Sequence, residues 1–174
     1  MKQVLLTFGL LLAVIFGFYW ASNRYPVNKE VKQVVNDKEI YFEMPEKLTT
    51  GVETEIKLKA KHSSGKLVSY AVDFSYDLAL IKVINVEVNK EIFDKKATVK
   101  IDENFGKVSI VGENAKNRDK LVSGEVVLAT IKIKGLKKGG TMIYSSKRPE
   151  VGILEGVKVS EGNFQMPNLK VNFL

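Results

Sequence analysis

Val68-Ser69-Tyr70-Ala71-Val72-Asp73-Phe74-Ser75-Tyr76-Asp77-Leu78-Ala79-Leu80-Ile81-Lys82-Val83 is the stretch that decides the fold of this 174-residue chain. Val68, Tyr70, Val72, Phe74 and Tyr76 alternate with Ser69, Ala71, Asp73 and Ser75, the period of two expected of a strand with one buried face. The strand stops at a Tyr76-Asp77 corner, where an aspartate side chain can accept backbone N–H groups as the chain turns away. An apolar run from Ile81 then starts another strand. Gly124-Glu125-Val126-Val127-Leu128-Ala129-Thr130-Ile131-Lys132-Ile133 reads in the same way.

Outward from these two segments, apolar alternation and turn residues recur at short intervals. Strands are expected near residues 39–43, 54–60, 67–76, 81–88, 97–101, 107–111, 125–133, 141–145 and 169–173. The turns between them include Ser63-Ser64-Gly65, Asn104-Phe105-Gly106 with unusual backbone angles at Asn104 and Gly106, and Lys137-Lys138-Gly139-Gly140. Residues 149–159 read as a connecting loop. About nine strands without a long helix bury their apolar faces by packing two sheets together. The expected fold class is therefore all-β, a jelly-roll β-sandwich with Phe74, Tyr76, Ile84, Ile110, Leu128 and Ile131 in its core.

The N-terminus is of another kind. Residues 4–21 carry no charge and as a helix would span about 27 Å, close to the thickness of a bilayer's hydrocarbon layer. Residues 1–21 are accordingly read as a transmembrane signal anchor with Tyr19 and Trp20 at its interfacial end. A cleaved signal peptide is the competing reading, but it wants small residues three and one before the cut. Tyr19 before Ala21, or Trp20 before Ser22, fits that rule poorly. Residues 22–38, polar and containing Pro26, form a linker to a single domain at 39–174. The expected location is the cell membrane, single-pass, with the domain extracytoplasmic. A pilin-like subunit also joins an apolar helix to a β domain, yet pilins carry a glutamate inside the apolar run and the first acidic residue here is Glu30.

Composition excludes several functions. The chain has no cysteine, so disulfides, thiolate metal sites and thiol nucleophiles are ruled out. Its formal charge of +7 favours anionic surfaces, but no arginine-rich tract or nucleic-acid module accompanies the lysines, and nucleic acid is not an expected partner. The one histidine, His62, lies in a turn sequence and reads as an exposed turn residue, without the carboxylate and rigid support that a triad requires. Asp73, Asp77, Glu87, Asp102, Glu103 and Asp119 could in principle supply a carboxylate pair for glycoside hydrolysis. Nothing in their spacing makes two of them converge. Asp102-Glu103-Asn104-Phe105-Gly106-Lys107 fails as a calcium loop, because Gly106 falls on a ligand position and Lys107 on the required glycine. Asn117 and Asp119 could form at most a weak oxygen site. No cofactor is expected.

The pattern Val72-x-Phe74-Ser75-Tyr76-Asp77-x-x-Leu80-x-x-Val83, followed by Gly124-Glu125-Val126-Val127-Leu128-Ala129-Thr130-Ile131, resembles the cohesin family of extracellular β-sandwich modules over roughly residues 40–174. That resemblance implies a binding module rather than an enzyme. It implies a docking face for a small helical partner, the dockerin, to which Ser69, Ala71, Asp73 and Ser75 would contribute. At Ser69 and Ala71 the side chains are small where family members often carry larger polar ones. A second candidate surface is Lys57, Lys59 and Lys61, which project from one face of a strand. They suit either an edge strand guarded against unwanted pairing or contact with an anionic wall polymer or lipid headgroup. The expected function is thus a membrane-anchored binding module holding a dockerin-like protein or a polysaccharide at the cell surface. A structural subunit of a secretion or pilus assembly is the runner-up, and an anchored hydrolase comes third.

Overall fold

A computed structural model describes residues 38–45, 47–114 and 121–174. The expected anchor, the linker as far as residue 37, and Asn117 and Asp119 lie outside the described residues. The strands, in chain order, are β1 (Glu39–Glu43), β2 (Glu53–His62), β3 (Lys66–Ser75), β4 (Ile81–Val88), β5 (Lys96–Asp102), β6 (Lys107–Glu113), β7 (Gly124–Gly135), β8 (Gly139–Ser145), β9 (Glu150–Glu155), β10 (Lys158–Gly162) and β11 (Leu169–Phe173). Among the described residues there is no helix.

Two sheets result. One has the order β1-β2-β7-β4; the other runs β10-β9-β3-β6-β5, with β8 pairing the end of β3 and β11 pairing β8. The architecture is an all-β sandwich. Its core comes from the inward rows of both sheets, with Ile56, Leu58, Leu128 and Ile131 from one and Tyr70, Phe74, Ile110 and Ile153 from the other, all fully buried. Phe42 and Phe74 meet edge to face across the interior at 5.3 Å, a geometry that adds about 0.5–1.5 kcal/mol beyond burial.

Residues 149–159 were expected as a loop and instead form most of the β9–β10 hairpin, with register from Lys158↔Glu155 to Gly162↔Val151. Two features hide it. Leu154 is buried directly after Ile153 and breaks the alternation of β9, while β10 is a sheet edge whose Val159 is exposed.

Bulges account for the other shifts. β4 slips against β7 between Val83 and Asn85, so the extra residue, Ile84, turns outward and is 37% exposed rather than in the core. β3 slips against β9 between Leu67 and Ser69, which buries Leu67 and leaves Val68 only half-buried. β7 has its bulge opposite Leu58 and Lys59, where Leu128 and Ala129 are both buried in succession. An inserted residue reverses the inward and outward faces of all that follow it.

The corner after β3 is built as its aspartate suggests. Asp77 accepts the Ala79 N–H on its side chain at 2.8 Å and the Ile81 N–H on its carbonyl at 2.8 Å. In the Asn104-Phe105-Gly106 turn, Gly106 alone has a positive φ, +58°. Asn104 does not share it; its N–H goes to Asp102 Oδ1 at 3.2 Å.

Candidate functional site

The outward row of β3, Ser69, Ala71, Asp73 and Ser75, lies in the middle of a five-strand face. On one side these residues stand opposite Glu113, Val111, Ser109 and Lys107 of β6, which in turn face Lys96, Thr98, Lys100 and Asp102 of β5. On the other side Ser69 pairs with Gly152 and Ala71 with Glu150 of β9. All four β3 side chains are half-buried, because taller neighbours rise around a row of small ones.

That difference in height makes an open groove of about 670 Å³ across the face, floored by Ser69, Ala71 and Gly152 and bordered by Lys96, Glu113 and Glu161. Gly152 is what keeps it low, since a Cβ there would meet Ser69 Oγ at 2.5 Å. The charged border is partly engaged, with Glu113 paired to Lys95. Farther along, Lys147 reaches Asp73 at 3.5 Å and Ser75 shares a 2.6 Å hydroxyl contact with Ser146. The strand supplied the β3 row from sequence, whereas Glu150, Gly152 and Glu161 were missed because their hairpin did not read as strands.

Lys57, Lys59 and Lys61 occupy the outer face of the opposite sheet. β2 is flanked by β1 and β7, so guarding an edge cannot be their role. Lys59 bridges Glu43 at 2.7 Å and Glu125 at 2.9 Å. These hydrogen bonds hold the ammonium charged well above its ordinary range and, with help from Tyr41, hold the Glu125 carboxyl below its own. Lys61 stands between Glu39 and Glu125 in register, and Lys57 opposite Glu43. The three lysines thus face three carboxylates.

Of the groups weighed for catalysis, His62, Asp73, Asp77, Glu87 and Asp102 have structural partners. His62 is not an exposed turn residue; it ends the inward row Ile56, Leu58, Ala60 of β2 and is 2% exposed. Its ring lies edge-on to Phe164 at 6.2 Å, and Nδ1 is 3.2 Å from the Ser64 carbonyl. Alternation continued by one more step would have placed it inside. Asp102 accepts the N–H groups of Asn104 and Phe105, and Glu87 accepts from the Asn85 side chain. Among the described residues no three His, Asp or Glu side chains gather to hold a metal.

The domain is thus a two-sheet sandwich with a groove across one strand-built outer face. No protein-family model matches the sequence, and no curated protein does. Solved structures match throughout the sandwich, and they have the cohesin fold. A type I cohesin–dockerin complex from Clostridium thermocellum matches with a TM-score of 0.67 and 17% identity, covering 80% of this chain and 100% of the other. The seventh ScaB type I cohesin from Pseudobacteroides cellulosolvens gives 0.67 at 16% identity, over 79% and 92%. A non-cellulosomal cohesin from the archaeon Archaeoglobus fulgidus gives 0.63 at 11% identity, over 79% and 91%. At such identities the likeness is one of fold.

Proposed function

We propose that the domain is a binding module without catalysis, which docks a small helical, dockerin-like protein on the outer face of β9, β3, β6 and β5. The observation that carries this reading is the row Ser69, Ala71, Asp73 and Ser75 at the centre of that face, low enough for a partner's backbone to approach the sheet. Complexes of cohesins with dockerins among the structural neighbours support it. The structural roles of His62, Asp77, Asp102 and Glu87 weigh against a hydrolase. In the same proposal residues 4–21 tether the module in the cell membrane with the sandwich on the extracytoplasmic side.

The test is titration calorimetry of residues 38–174 against a panel of dockerin modules, repeated with two variants. Ser69→Arg with Ala71→Arg puts bulk and charge into the groove and should abolish binding of any dockerin that docks. Lys57→Gln, Lys59→Gln and Lys61→Gln together should leave it unchanged. Binding that survives the arginines, or that is lost with the glutamines and falls steeply with salt, would move the site to the opposite sheet and to an anionic ligand.

A further inference from the structure

Five of the nine large apolar side chains exposed among the described residues sit at one end of the sandwich: Val52, Leu78, Phe105, Leu136 and Leu174. Backbone hydrogen bonds gather their loops. The Tyr76 N–H donates to the Gly106 carbonyl at 2.8 Å, Leu136 N–H to Leu80 at 2.9 Å, Gly51 N–H to Gly135 at 2.9 Å, and Thr50 N–H to Leu174 at 3.2 Å. Phe105 is 71% exposed at a loop tip, and Leu78 lies beside Gly106. An exposed apolar cluster of this kind marks an interaction site.

The same end carries a cluster of lysines, alongside the carboxylates of Glu53, Asp77, Asp102 and Glu103. Lys82 of β4 stands directly opposite Lys134 of β7, a like-charged pair that disfavours the fold. Lys137 and Lys138 follow in the β7–β8 turn beside Leu136. Glu53 lies across from Lys134, but no ion pair joins any of these four lysines to a described residue. Asp77 and Asp102 turn their carboxylates into their own loops.

We propose that this end seats on an anionic lipid bilayer, with Leu78, Phe105 and Leu136 entering the boundary between headgroups and acyl chains and the lysines meeting lipid phosphates. Apolar tips on separate loops, flanked by lysines, match the layered chemistry of that surface. A soluble polyanion would satisfy the lysines and leave the apolar tips in water. The surface is distinct from the docking groove, so either reading can fail without the other.

Vesicle flotation of residues 38–174 tests the proposal free of the apolar N-terminal run; the core of this segment closes within itself. The fragment should float with vesicles containing phosphatidylglycerol and stay behind with pure phosphatidylcholine. Lys137→Gln with Lys138→Gln should weaken binding about thirtyfold at low salt, since each lysine near such a surface is worth about a fivefold change. Phe105→Ser with Leu136→Ser should weaken it at least about tenfold. Glu103→Lys, in the Phe105 loop, should strengthen it. All of these positions are exposed, and circular dichroism checks that the variants fold. Absence of binding to anionic vesicles overturns the proposal. So does vesicle binding indifferent to the serine pair together with lysine-dependent binding of soluble polyphosphate, which assigns the end to a polyanion. Concentration-dependent dimerisation abolished by the serine pair, without flotation, overturns it in favour of a second copy.

Discussion

The hydroxyl of Tyr70 donates to the carbonyl oxygen of Leu128 at 2.8 Å, a bond that runs from β3 in one sheet to the bulge of β7 in the other. The same carbonyl accepts the Asn89 N–H at 3.0 Å, so the bulge leaves no lone pair of Leu128 idle. Tyr70→Phe removes one of these donors from a fully buried site and should cost about 1–3 kcal/mol, measurable by urea denaturation.

The burial of Tyr70 has a pH signature. Burial raises the Tyr70 phenol well above its ordinary value. A raised value in the folded state means that the contribution to stability is complete below about pH 10, the unfolded value, and is lost as pH climbs through the folded one. The domain should therefore weaken in alkali. Tyr41 and Tyr76 are raised by burial too, so Tyr70→Phe should flatten the alkaline limb of the stability curve without abolishing it. An unchanged limb would remove Tyr70 from this account.

Gly112 faces the Tyr70 ring across β6, and a methyl there would run into that ring and come within 3.0 Å of Phe93. Tyr70 and Phe93 are already packed edge to face at 4.8 Å. Gly112→Ala should therefore cost about 1–3 kcal/mol by overpacking, read as a lower denaturation midpoint at constant slope.

Two large apolar residues should part company on truncation. Phe74→Ala removes a ring that is fully buried against Phe42 and should cost about 3–5 kcal/mol, enough to unfold a domain of ordinary stability. Ile84→Ala, at a bulge and 37% exposed, should cost no more than about 1 kcal/mol. Thermal melts of the two proteins check both.

On the acid side, the hydrogen bond from Lys59, and then that from Tyr41, hold the Glu125 carboxyl below its ordinary range. A lowered folded value gives stability that is present above the unfolded value, near pH 4.5, and is lost as pH falls through the folded one. Proton titration by NMR should find Glu125 ionised at a pH where an unpaired surface glutamate is already protonated. Lys59→Met should move it back toward the ordinary range, with the Tyr41 hydrogen bond still holding it partly down.

The strands that read clearly were those whose alternation runs unbroken. Tyr70 to Tyr76 and Ile131 to Ile133 fall where the period of two puts them. The reading failed at inserted residues: Ile84 and Val68 sit at bulges, and a bulge has no composition of its own to announce it. β10 was missed for a different reason, because an edge strand that buries little has no apolar face to show. The central row of the proposed docking face was legible, being the complement of a buried row. Its flanks depend on which strands become neighbours, and pairing partners are not written in local periodicity.

Glu39 forms a bridge with Gln165, and Leu48 with Phe173, each joining the first part of the domain to its last. Neither β1 nor the segment before β2 can take its final place until residues 165 to 173 have left the ribosome and reached it. A contact map dominated by such distant partners predicts slow folding, in milliseconds to seconds. The domain closes only once its last strand is in place, so a chain cut short before residue 165 would leave Glu39 and Leu48 without these partners.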